Sequence, residues 1–156
     1  MPKHPAVGDE APEFELEGTH GAFRLSEQRG KKVLLLFYPG DETTVCTKQF
    51  CSYRDNAEAF GSLGVTAVGI SGKDVDSKRR FAEKNDLANV PLLADPDFEV
   101  AKAYDAYAGL MKMAKRSAII VDEQGKVAHR HDHALGLDFQ TVADLKQALE
   151  GLPASA

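Results

Sequence analysis

The 156-residue chain has only two cysteines, no long hydrophobic run and no excess of basic residues. Each shortage excludes something. The opening MPKHPAVGDE carries no apolar stretch, so it does not read as a secretory signal peptide. The longest unbroken apolar run, Val33–Tyr38, is six residues, against the roughly 20 that a membrane-spanning helix needs. A net charge of −5 and a pI near 5.5 offer no basic surface for nucleic acid or an anionic membrane. There is no internal repeat, low-complexity tract or long linker. What is present is an ordinary globular composition, 43% hydrophobic and 28% charged, and a length that fits a single domain over residues 1–156. The default location is the cytoplasm. Thiols stay reduced there, and a cysteine pair is more often catalytic, redox-active or metal-binding than structural.

The pattern along the chain alternates strands and helices. Phe14 and Leu16, then Phe23 and Leu25, alternate with polar residues around GTHG (Gly18–Gly21), which reads as a small hairpin. A short helical turn fits from Ser26. VLLLFY (Val33–Tyr38) is a strand buried on both faces. Pro39 and Gly40 stop it. Cys46, Phe50, Tyr53, Ala57 and Phe60 then recur at steps of four and three, the stripe of an amphipathic helix. VTAVGIS (Val65–Ser71) is a second core strand. Asp74–Leu87 fits a surface helix with Val75, Phe81, Ala82 and Leu87 inward. VPLLADP is a short extended piece, and Phe98–Tyr104 fits a helix. SAIIVD (Ser117–Asp122) and KVAHRHDH (Lys126–His133) are further strands joined by EQG, an antiparallel pair. Val142, Leu145, Leu149 and Leu152 mark a closing helix. Buried strands alternating with helices predict an α/β fold, and this order fits a thioredoxin-like sandwich with a central mixed sheet flanked by helices and an N-terminal β-hairpin.

Both cysteines fall in FYPGDETTVCTKQFC (Phe37–Cys51), directly after the Pro39-Gly40 break. The strand–loop–helix reading puts Cys46 in the first helical turn. Backbone N–H groups without helical partners point there, and the macrodipole is positive; both favour a thiolate over a thiol. Cys46 is the candidate nucleophile. Cys51 lies more than a turn further in and gains less. On a regular helix, positions five apart have Cα atoms roughly 8–9 Å apart, whereas a disulfide needs less than about 7 Å. A Cys46–Cys51 bond therefore requires the helix to unwind locally, so it is a state reached by conformational change rather than a resting staple.

Blander assignments compete. Free cysteines are often small buried hydrophobes. His129, His131 and His133 alternate along one strand and share one face, which reads as a solvated edge or as metal ligands with the cysteines. A CxxC redox motif is absent. Arg116 reads alone as a surface charge beside Lys112 and Lys115, Thr43 as a helix N-cap, and Pro39 as a strand terminator.

Four segments in order then resemble the peroxiredoxin family. PGDETTVC matches the pattern P-x-x-x-T-x-x-C with Pro39, Thr43 and Cys46 in register. VGDEAPEFEL resembles the family's G-D-x-A-P-x-F opening, and LSEQRGKKVLLLFYPGD the run into the active-site loop. RSAIIVDEQGKV resembles the segment that supplies the family's arginine, here Arg116. The spacing Cys-x-x-x-x-Cys is similar to the bacterioferritin comigratory protein, or peroxiredoxin Q, branch. That branch commonly has T-P-G-C-T-x-E, where this chain has Thr44-Val45 before Cys46 and Gln49 in place of the glutamate.

The resemblance implies a thiol peroxidase that reduces hydrogen peroxide and organic hydroperoxides without a cofactor or metal. Cys46 would be the peroxidatic and Cys51 the resolving residue. Thr43 and Arg116 would contact thiolate and peroxide, and Pro39 would wall the pocket. A thioredoxin-like dithiol would be the reductant. A resolving cysteine in the same chain is compatible with a monomer and leaves a dimer open. Two other classes remain alongside: a metal-binding module, and a redox-sensing or holdase switch that uses the same disulfide without turnover.

Overall fold

The structure, a computed structural model, describes residues 4–40, 44–55, 64–87, 89–110, 112–132, 145 and 147–148, with residues 44–47 described by their backbone. A seven-stranded mixed sheet organises the chain. β1 (Glu15–Gly18) and β2 (Gly21–Arg24) form the expected hairpin, followed by a 3₁₀ turn over Leu25–Gln28. β3 (Lys32–Phe37) leads to α1 (Thr44–Asp55), then β4 (Val65–Ser71), α2 (Val75–Lys84) and β5 (Leu92–Ala94). α3 (Glu99–Ala103) precedes a two-stranded ribbon of β6 (Tyr107–Ala108) and β7 (Met113–Ala114). β8 (Ser117–Val121) and β9 (Val127–Asp132) are the antiparallel pair. The strand order is β2-β1-β5-β4-β3-β8-β9. β3, β4 and β5 run parallel, and β8 is antiparallel to β3.

From Val33 onward β3 is continuously apolar because it is covered on both faces. Its side chains alternate between two cores. Val33, Leu35 and Phe37 pack with Phe14, Val100, Ala101, Tyr104 and Ile119. Leu34, Leu36 and Tyr38 pack with Phe50 and Tyr53 of α1, Phe81 of α2, and Leu145. Of the helical stripe read for α1, Phe50 and Tyr53 are fully buried, whereas Ala57 and Phe60 lie outside the described residues. Leu145 is buried and helical; Val142, Leu149 and Leu152 lie outside the described residues. No described helix is long and apolar enough to cross a membrane.

α1 comes unusually close to the sheet at Gly69 of β4. A Cβ there would sit 2.8 Å from Cε1 and Cζ of Phe50 and 2.9 Å from Cδ2 of Leu92. The absent side chain is the socket that receives the Phe50 ring. Phe50 in turn stacks edge-on against Tyr38 at 4.6 Å and Phe81 at 6.1 Å.

On the opposite face, Tyr104 is fully buried between Phe37 and Phe14, and its hydroxyl donates to the Pro12 carbonyl at 2.6 Å. Burial, with a smaller contribution from Glu13, holds its phenol above the ordinary value of 10.0. A raised folded-state value means that stability is fully present below the unfolded value and is lost as pH rises beyond it. Urea midpoints should therefore fall progressively above about pH 10. In Tyr104→Phe, which is weaker at neutral pH for want of the Pro12 bond, that decline should be shallower. An equal decline in both proteins would remove Tyr104 from the explanation.

Candidate active site

Three chain segments meet where β3 leaves the sheet. The Phe37↔Ser117 pairing sets the register of β3 against β8, so Arg116, one residue before β8, sits beside the end of β3. Tyr38 still donates its N–H to the Ile70 carbonyl at 3.1 Å; Pro39, half-buried, then bends the chain out. α1 begins at Thr44, which makes Cys46 its third residue, in the first turn as expected. Thr43 lies outside the described residues, as does the Cys46 side chain.

Arg116 is not a surface charge. It is 2% exposed, and its Nη1 donates to Oε1 of Gln49, which is equally buried. Gln49 stands three residues beyond Cys46 on α1, and its Nε2 donates to the Tyr53 hydroxyl at 3.3 Å. A buried chain therefore runs from β8 through Arg116 and Gln49 to Tyr53. An amide serves this place because its two ends differ. The oxygen accepts from the guanidinium, and the nitrogen donates onward. Below Arg116, the Ser117 hydroxyl donates to Asp132 at 2.7 Å, and Arg130 clamps the same carboxylate at 2.9 Å and 3.1 Å. Arg130 also donates to the carbonyls of Pro5 and Asp105, at 3.2 Å and 3.1 Å. The β8–β9 end that carries Arg116 is thus braced against two neighbouring loops.

Cys51 carries a free thiol, half-buried. Its Sγ donates to Oδ1 of Asn85 at 3.8 Å. Asn85 caps the C-terminus of α2, with both its backbone N–H and Nδ2 donating to the Phe81 carbonyl, at 3.2 Å and 3.1 Å. Arg54, whose position in the helix alone assigns it no role, donates to the Asn85 carbonyl at 2.5 Å. A hydrogen bond from Arg54 to Asp55 holds the guanidinium above its ordinary value.

Lys78 is the residue sequence reading misses. The helix reads as a surface helix, yet Lys78 is fully buried. Its ammonium donates to the Gly72 carbonyl at 2.6 Å and to the Ser71 hydroxyl, and lies 5.3 Å from the Tyr38 ring centroid. A signal existed: position 78 falls midway between Val75 and Phe81 on the inward stripe. The lysine ties the end of β4 to the residue that precedes Pro39. His129 and His131 both lie on β9, and His133 is outside the described residues. Among the described residues no three His, Cys, Asp or Glu side chains converge as metal ligands would.

Comparisons with known sequences and structures give the family and the fold. Residues 7–130 match the AhpC/TSA family. The chain belongs to that family, the peroxiredoxins. Within it the relatives are of the Bcp and peroxiredoxin Q branch. The chain is 36% identical over 142 residues to peroxiredoxin Bcp of Escherichia coli K12, covering 86% of this chain and 87% of that one. It is 34% identical over 128 residues to peroxiredoxin Bcp of Bacillus subtilis, covering 78% and 81%. Among solved structures, peroxidoxin BcpB from Mycobacterium tuberculosis superposes with a TM-score of 0.81 at 33% identity, covering 94% of this chain and 96% of that one. AhpC of Enterococcus faecalis, at 20% identity and a TM-score of 0.86 over 92% and 90%, shares the fold. The thioredoxin-like expectation holds.

Gln49→Leu should show what the amide contributes. It removes an acceptor from a buried guanidinium and a donor to Tyr53, so unfolding should become easier by about 1–3 kcal/mol. Urea denaturation measures this, and a midpoint equal to wild type would mean that the Gln49 bonds carry no net stability.

Proposed function

We propose that the chain is a thiol-dependent peroxidase that reduces hydrogen peroxide and organic hydroperoxides at Cys46. Membership of the peroxiredoxin family supports thiol peroxidase chemistry. The observation that carries the assignment to residues is the buried Arg116, joined through Gln49 to the helix whose first turn contains Cys46. A guanidinium is always charged and offers a rigid fork of donors. In a water-poor setting that fork can hold a thiolate and the oxygen on which negative charge develops.

The Cys46 thiolate attacks one peroxide oxygen. The S–O bond forms as the O–O bond breaks, and hydroxide or alkoxide departs and takes up a proton. Cys46 is left as a sulfenic acid. Thr43 would orient thiolate and peroxide through its hydroxyl, and Pro39 would limit water at the pocket wall. Cys51 then attacks the sulfenic sulfur, releasing water and forming the Cys46–Cys51 disulfide. That step requires α1 to unwind, because on a regular helix the two Cα atoms stand roughly 8–9 Å apart. A thioredoxin-like dithiol supplies two electrons and two protons to restore both thiols. No metal or organic cofactor enters this scheme. A resolving residue in the same chain suits a monomer, and a cytoplasmic setting suits a thiol-driven cycle.

Peroxide turnover with excess thioredoxin or dithiothreitol tests this. Cys46→Ser should fall to background. Cys51→Ser should still consume one equivalent of peroxide and accumulate sulfenic acid. Arg116→Met should lower kcat/KM by about 10²–10³-fold. Wild-type activity in Cys46→Ser would remove the nucleophile assignment, and a wild type that forms the disulfide once without turning over would point to a redox switch.

A further inference from the structure

The last turn of α1 is fastened to the segment that follows α2. Three contacts do this. The Cys51 thiol donates to Asn85 Oδ1 at 3.8 Å, Arg54 Nη1 donates to the Asn85 carbonyl at 2.5 Å, and Asn89 Nδ2 donates back to the Arg54 carbonyl at 3.3 Å. Asn85 is itself fixed by two donations to the Phe81 carbonyl. Phe81 is fully buried against Phe50, so the anchor stands on the core.

From these contacts we infer that Asn85 and Arg54 form a clasp that holds Cys51 in its disulfide-incompetent, helical position and so slows resolution. The inference rests on the proposed cycle. Cys46 and Cys51 are five residues apart on α1, so their directions differ by about 140° around the axis. The Cys51 thiol points to Asn85, and it must leave that partner to meet the sulfur of Cys46. Unwinding the last turn also breaks the Arg54 contact, which is charge-assisted and the stronger of the two. Asn85 and Arg54 are positioning residues: they act through where Cys51 sits.

The clasp has a chemical consequence. While Cys51 is held, the sulfenic acid at Cys46 persists and stays open to a second peroxide. That reaction adds one oxygen to sulfur, giving sulfinic acid as the second peroxide is reduced to water. The clasp therefore sets the peroxide level at which the enzyme disables itself.

Reduced wild type, Asn85→Ala, Arg54→Gln and Cys51→Ser would be mixed with one equivalent of hydrogen peroxide and quenched at intervals. Intact mass would follow the disulfide. A second series at excess peroxide would follow the sulfinic product. Disulfide formation should be about 3- to 10-fold faster in Asn85→Ala and in Arg54→Gln, the worth of one net hydrogen bond. Their sulfinic fractions should fall. The second-order rate of peroxide with Cys46 should stay within about twofold of wild type, a split that general destabilisation would not give. Arg54→Gln leaves the α2 cap intact, so it decides the matter if Asn85→Ala folds poorly. Disulfide formation in Arg54→Gln no faster than wild type overturns the clasp while leaving the peroxidase assignment standing. No disulfide in wild type that still consumes peroxide overturns the clasp and the resolving role of Cys51, and a wild type that consumes no peroxide overturns the peroxidase assignment itself.

Discussion

A buried guanidinium must be answered by acceptors, and this requirement binds the site together. Removing Arg116 from water is costly unless its donors are met. Gln49 meets one of them from a different element, and so the start of β8 and the first half of α1 are held in one geometry. An amide accepts without bringing a negative charge, so the Gln49 bond orients the fork without neutralising it. The glutamate common in the branch would accept the same bond and add a charge. The bracing of Ser117 and Arg130 on Asp132 keeps the strand end from drifting.

The sheet supplies the platform for that contact. β3 lies between β4 and β8 with a core on each face, so the loop leaves from a strand end held on both edges and both faces. Gly69 lets α1 approach closely enough for Phe50 to seat against the strand. Phe50 follows Gln49 directly, so seating the ring also aims the amide at Arg116. Lys78 works from the other side. Its ammonium bridges the end of β4 to the face of Tyr38, fixing the residue before the bend.

Much of this was legible in the residues. Val33–Tyr38, Val65–Ser71 and Ser117–Val121 announce themselves because strands covered on both faces are predominantly apolar. The first turn of α1 is legible because Pro39 and Gly40 end a strand just before a helical stripe. The ribbon of β6 and β7 was not: two residues per strand carry no period. Lys78 escaped because a charged residue on an inward stripe argues against its own burial, whereas the carbonyl, hydroxyl and aromatic ring that receive it make burial tolerable. Arg54 and Asn85 escaped for another reason. Their meeting depends on how two helices pack, and 31 positions separate them. Arg116 was legible as a member of a motif, whereas the amide that receives it was visible only as a departure from one.

The link between Gln49 and Arg116 spans 67 positions. During synthesis the helix bearing Cys46 is complete long before Arg116 has been joined to the chain. β8 must align on β3 before the guanidinium reaches its amide. The amide is thus made first and the guanidinium it receives much later. A nascent chain halted before β8 would carry Gln49 without the guanidinium it meets, and the geometry that joins β8 to α1 is acquired only when the sheet closes.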